Sequence, residues 1–189
     1  MQPMSPETTA PDPRAEAVLE FWFRGDLERK EWFSKDPSFD DEIRARFLAL
    51  YEEGARGAFT VWRNSPRSCL ALIVLLDQFP RNMFRGSARA FATDALALDA
   101  ARHAVASGYD RALSKTERTF IYLPFEHSEN LADQERALEL FAGHPNSEWA
   151  HKHWEIIKRF GRFPHRNGIL GRQSTPAEIE FLRQPGSSF

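Results

Sequence analysis

Two segments place basic and amide side chains just past an apolar run: Phe79-Pro80-Arg81-Asn82-Met83-Phe84-Arg85-Gly86, and Phe163-Pro164-His165-Arg166-Asn167 continuing to Leu170-Gly171-Arg172. A guanidinium offers a planar fork of N–H donors that matches a carboxylate or phosphate in two-point contact. If the two loops converge, Arg81, Asn82, Arg85, His165, Arg166 and Asn167 form a ligand-binding pocket for an anionic group on a small molecule or peptide. Arg89, Arg162 and Arg172 extend the basic set. A second use of these arginines competes with the first: they neutralise acids and tie loops to helices.

The acids are Asp77, Glu117, Glu126, Glu129, Asp133 and Glu135, with His127 among them. Glu126 and Glu129 are three apart, and two carboxylates held close divide acid and base roles when their environments separate their pKa values. That makes Glu126, His127 and Glu129 the candidate catalytic residues of a hydrolase-type reading, with arginines stabilising developing charge. In the competing reading Glu129 complements a helix dipole behind Pro124.

Other chemistries lack their residues. Glu126, His127, Glu129 and Asp133 match neither the His-Glu-x-x-His zinc pattern nor a calcium loop, so no metal is expected. His151 and His153 are two apart on a helix and face different ways. There is no Gly-x-Ser-x-Gly elbow, no phosphate-binding glycine loop and no dinucleotide fingerprint, so no cofactor is expected. Cys69 lies among Leu70, Leu72 and Ile73 and reads as a small core residue.

Composition narrows the partners. The 25 basic and 27 acidic residues are interspersed and sum to a net charge of -2, which leaves no broad positive face for nucleic acid. Of the basic residues, 20 are Arg and 5 are Lys. The longest apolar run, Cys69 to Leu76, is far short of the roughly 20 residues that span a bilayer, so no membrane segment is expected. One cysteine excludes a disulfide framework, and the expected location is cytoplasmic. Residues 1–12, with three prolines and no apolar stretch, are expected to be a flexible tail, residues 13–183 one helical domain, and 184–189 a second tail.

The elements that must position these residues are helices. Asp12-Pro13, Ser65-Pro66, Ser114 with Glu117, and Thr175-Pro176 with Glu178 are helix starts, as are Ser38 to Asp41, Thr93-Asp94, Ser128 and Asn146. Pro80, Gly108, Pro124, Gly143 and Gly161 are expected stops. Apolar residues recur at spacings of three and four, as in Phe39, Ile43, Phe47, Leu50 and Tyr51, or Trp149, His153, Ile156, Ile157 and Phe160. Leu70 to Leu76 is apolar all round and predicts the buried centre. Strand and hairpin signals are scarce. The fold class is therefore all-α, about eight helices in antiparallel hairpins with no sheet. Trp32, Phe33 and Phe84 lie near loops and are candidates for lining a pocket.

Three separated stretches resemble a bacterial family catalogued as domain of unknown function 924: Leu75-Leu76-Asp77-Gln78-Phe79-Pro80-Arg81-Asn82, Tyr122-Leu123-Pro124-Phe125-Glu126-His127-Ser128-Glu129, and Arg159 to Asn167. Val18-Leu19-Glu20-Phe21-Trp22-Phe23 also fits, and the resemblance runs from about Val18 to Leu182. It implies an all-α fold related to the tetratricopeptide-like superhelix and carries no activity or catalytic residues with it.

Overall fold

The structure is a computed structural model that describes residues 12–25, 29–32 and 34–188. The tail expected over residues 1–11 lies outside them, as does Phe33. The described residues form helices, short 3-10 turns and no strand. The helices are α1 (Pro13–Trp22), α2 (Pro37–Ala55), α3, α4 (Asp94–Ala106), α5 (Lys115–His127), α6 (Leu131–Leu140), α7 (Ser147–Phe160) and α8 (Pro176–Leu182). α3 is composite: Pro66–Ile73 runs through a π-helical turn, Val74–Gln78, into Phe79–Met83. α4 packs on α5, α5 on α6 and α6 on α7, α1 packs on α3, and α2 packs on the last turn of α3.

Local capping chemistry sets most starts. The Asp12 carboxylate accepts the Arg14 N–H at 2.9 Å, leaving Pro13 where no N–H is needed. Ser114 with Glu117 and Thr175 with Glu178 each close a reciprocal capping box. Four starts differ from expectation, Asn146 among them, since it precedes α7 without a side-chain cap. Asp36, rather than Ser38, caps α2, because its carboxylate reaches the N–H groups of both Ser38 and Phe39. Asn130 caps α6 through Ala132, while the Ser128 hydroxyl donates to Asp133 at 2.7 Å. Thr93 precedes α4 without capping it, for a reason given below.

The core gathers on α3, whose residues Cys69 to Leu76 are all buried. Burial of each Leu, Ile and Val among them contributes about 1.5–3 kcal/mol. Phe79 is wholly buried and meets Phe21, Trp22 and Phe47 with ring centroids 6.1, 5.6 and 4.9 Å away. α2 approaches α3 closely at Gly54, where a Cβ would lie 3.2 Å from Leu75 Cδ2 and 3.3 Å from Leu76 Cδ2. Cys69 is buried, and burial pushes its thiol up to about 12. Trp32 is also buried, its indole donating to the Trp22 carbonyl at 3.0 Å, and Phe84 packs against Tyr51 beneath Arg89.

Neither expected proline stop ends its helix. Pro80 has no N–H, so an α-helix through it would strand the Leu76 carbonyl. Here the π turn widens the helix, the Phe79 N–H bonding back to the Val74 carbonyl, and the Thr93 hydroxyl donates to the Leu76 carbonyl at 2.6 Å. That bond uses the Thr93 side chain and explains why it does not cap α4. α5 likewise continues past Pro124 to His127.

α7 buries His153, Ile156 and Ile157 as expected and departs from the expected stripe at its first turn. Ala150, His153 and Ile157 face inward with Ile156, while Trp149 is 50% exposed beneath the Lys152 ammonium. Leu131, at the start of α6, is 40% exposed. α7 ends at Gly161 with φ +69°, a left-handed conformation that glycine adopts without strain. At the C-terminus, the buried Ser187 hydroxyl donates to the Leu182 carbonyl at 3.2 Å. Among the described residues no helix is long and apolar enough to cross a membrane.

Candidate functional site

The π turn of α3 aims Asp77 into the interior, where its side chain is 1% exposed. Its Oδ2 accepts the Gln78 amide at 2.5 Å, and its Oδ1 lies 2.8 Å from His127 Nδ1 and 3.3 Å from Arg81 Nη1. Burial alone would raise this carboxyl, but Arg81, His127 and Gln78 together hold it below the usual carboxylate range. Arg81, one turn later, donates to both oxygens of Asp94 at 2.7 and 3.0 Å and to the Asp77 carbonyl at 2.7 Å.

The second loop reaches the same place. Arg166 Nη1 lies 3.5 Å from Asp94 Oδ2 and donates to the His127 carbonyl at 3.1 Å. The guanidinium is stacked between the rings of Phe91 and Phe163, 4.6 and 4.5 Å from their centroids. Its Nε is buried with no hydrogen-bond partner among the described residues. Burial, and then the neighbouring Arg81, lower this guanidinium to about 10. Arg81 and Arg166 therefore meet on the first carboxylate of α4.

The other basic and amide residues go elsewhere. Asn82 donates to Asp40 at 2.7 Å, and Arg85 grips both oxygens of the same carboxylate at 2.8 Å, pinning α3 to α2. Asn167 donates to Ser174 and accepts from Arg172. Arg162 grips Glu178 at 2.7 and 2.8 Å and so ties α7 to α8. Arg89 pairs with Glu52 on the surface. His165 sits against Phe163, and burial followed by Arg166 lowers its imidazole to about 4.

The candidate acids separate in the same way. Both oxygens of Glu129 are taken by Arg172, at 2.6 and 2.9 Å, and Oε1 also accepts the Phe163 N–H at 2.7 Å. Burial opposes ionisation, but these donors hold the carboxyl below its ordinary value. Glu129 thus anchors the second Phe-Pro turn rather than the start of α6. Glu126, on the last turn of α5, is 2% exposed; burial, and then Asp77, push it up to about 8. At pH 7 it is a neutral acid, 3.6 Å from His153 Nδ1, with Oε1 unpartnered among the described residues. His153 Nδ1 donates to the Trp149 carbonyl at 2.8 Å, and burial lowers its imidazole to about 3. Glu117 is spent in its capping box, Asp133 pairs with Arg102 at 2.5 Å, and Glu135 is exposed.

Sequence reasoning placed Asp77 among the acids and missed Asp94, which read only as a helix start, and Phe91, which has no local signal. Among the described residues no cluster of His, Cys, Asp and Glu is arranged to hold a metal ion.

The class this fold and network define is an all-helical protein with a charged interior seam where α3, α4 and α5 meet the 163–172 loop. Residues 18–186 match the family described as bacterial protein of unknown function (DUF924), and the chain belongs to that family. It is similar to the solved structure of a protein of unknown function from Agrobacterium tumefaciens, with 43% identity, a TM-score of 0.86, and coverage of 90% of this chain and 97% of that one. No curated protein matches the chain.

Proposed function

We propose that this protein is a cytoplasmic binding module of the tetratricopeptide-like kind, and that it holds an anionic group of a small molecule or peptide at the edge where Arg81 and Arg166 meet. The observation that carries the reading is Arg166 itself. An arginine stacked between two aromatic rings, with a buried Nε left unpartnered among the described residues, has donor capacity the fold does not use. Partial exposure supports access: the side chains of Arg81 and Asp94 are 19% and 20% exposed. His165 lies beside Arg166 as a further contact, whereas Asn82, Arg85 and Asn167 act by shaping the two loops. The cytoplasmic placement draws on the single, buried cysteine.

Calorimetric titration with inorganic phosphate and with propionate tests the reading. The parent is expected to bind one of them, Arg166→Met to lose that binding while melting cooperatively, and Arg85→Ala to bind like the parent. Binding by Arg166→Met equal to the parent's, or no binding by the parent, would sink it.

A further inference from the structure

The anion site adjoins a second group whose protonation is fixed by its neighbours. His127 Nδ1 lies 2.8 Å from Asp77 Oδ1. Asp77 already receives the Gln78 amide and lies 3.3 Å from Arg81 Nη1, so it is held as a carboxylate, which only accepts. The proton between the two must therefore sit on His127 Nδ1, and the neutral ring then carries its lone pair on Nε2. Nε2 makes no hydrogen bond to any described residue, and the side chain is 15% exposed. The carbonyl of this same residue accepts Arg166 Nη1 at 3.1 Å, so the lone pair and the anion-binding guanidinium belong to one small neighbourhood.

We propose that the ligand carries a hydroxyl beside its anionic group and that His127 Nε2 accepts a hydrogen bond from it, which makes small hydroxy acids the ligand class. The inference rests on the anion-site reading and narrows it. Burial and Arg81 both disfavour a positive charge at His127, which keeps Nε2 an acceptor at neutral pH and favours a hydroxyl donor over an ammonium. Asp77 is the positioning residue: it fixes the tautomer and the ring orientation, as a carboxylate does for a histidine that must offer its other nitrogen.

Lactate and propionate differ by one hydroxyl and serve as probes, with phosphate as a third. Calorimetry is expected to give lactate about tenfold tighter binding than propionate, the worth of one net hydrogen bond. Nitrogen-15 NMR of histidine-labelled protein is expected to show His127 in the Nδ1–H form without ligand, and its Nε2 signal to move with lactate but not with propionate. An Nε2–H imidazole, or equal binding of the two acids, overturns the inference and leaves the anion site standing. So does phosphate binding without either acid. Failure of all three probes defeats the anion site, and the hydroxy-acid inference with it.

Discussion

The two Phe-Pro turns begin alike and are built differently. At Phe79-Pro80 the chain stays helical, and the proline is absorbed by the π turn and by a threonine hydroxyl from the next helix. At Phe163-Pro164 the helix has already ended at Gly161, and the loop is held by Glu129, which binds the Phe163 N–H and Arg172 together. Their side chains nevertheless divide by one rule. Each turn spends its flanking groups on a neighbouring acid, Asp40 for the first and Glu129 or Glu178 for the others, and sends one arginine inward to Asp94. The outer pairs fix where each loop lies; the inner pair meets where partners run short. A Phe-Pro-basic motif is therefore not itself a site, and its meaning depends on where each guanidinium finds its acid.

Removing the shared interior acid should break this division most severely. Asp77→Ala leaves the buried His127 Nδ1–H and Gln78 amide without their acceptor and Arg81 with Asp94 as its one carboxylate, and a loss of about 2–4 kcal/mol is expected in urea unfolding. A loss no greater than that of an outer pair would mean that the seam is not special.

Glu126 offers a pH test of the same seam. It keeps its proton in the fold to about pH 8, against 4.5 ordinarily, so the folded state binds more protons across that window and stability falls as pH rises through it. His153, held neutral down to about 3 against 6.5, has the opposite sign and adds stability as pH rises to 6.5. The two oppose each other up to pH 6.5, and above it Glu126 acts without that counterweight. Glu126→Gln should therefore gain on the parent by about 1.4 kcal/mol per pH unit between 6.5 and 8, read from denaturation midpoints at each pH. A constant difference across that range would show that the carboxyl is already ionised.

Thr93→Val probes the feature that distinguishes the first turn from the second. It leaves the Leu76 carbonyl unpartnered at a buried position, and about 1–2 kcal/mol should be lost in thermal unfolding. Arg85→Ala, at an outer pair, should cost only about 1 kcal/mol, because its side chain is 38% exposed and Asn82 still holds Asp40. If Arg85→Ala proved the costlier of the two, the contrast between inner and outer groups would collapse.

How legible each part was follows from the range of its cause. Caps were readable because donor and acceptor lie within three residues, as in Ser114 with Glu117 and Thr175 with Glu178. The all-helical class followed from the spacing of apolar residues. The proline stops failed because the fate of a freed carbonyl is decided far away: Leu76 is served by Thr93, seventeen residues on. The site was half legible for the same reason. The sequence marked Arg81 and Arg166 as candidates, but nothing local says that Asn82 and Arg85 belong to Asp40, or that Asp94 receives both inner arginines. Trp149 and Ala150 show how little separates two stripes on one helix, since a shift of one position exchanges which is buried.

The π turn works as a phase shifter. An α-helix advances about 100° per residue, so a helix that carries one extra residue in a single turn rotates everything beyond it by that angle without changing direction. Straightening Val74–Gln78 into regular α-helix with every residue kept would swing Asp77, Phe79 and Arg81 together around the axis relative to the first half of α3. The same step would take Phe79 out of its aromatic nest and Arg81 away from Asp94. The wide turn thus sets the timing of both the core and the charged seam, and losing it is a change of phase, where a substitution beyond it is only a change of part.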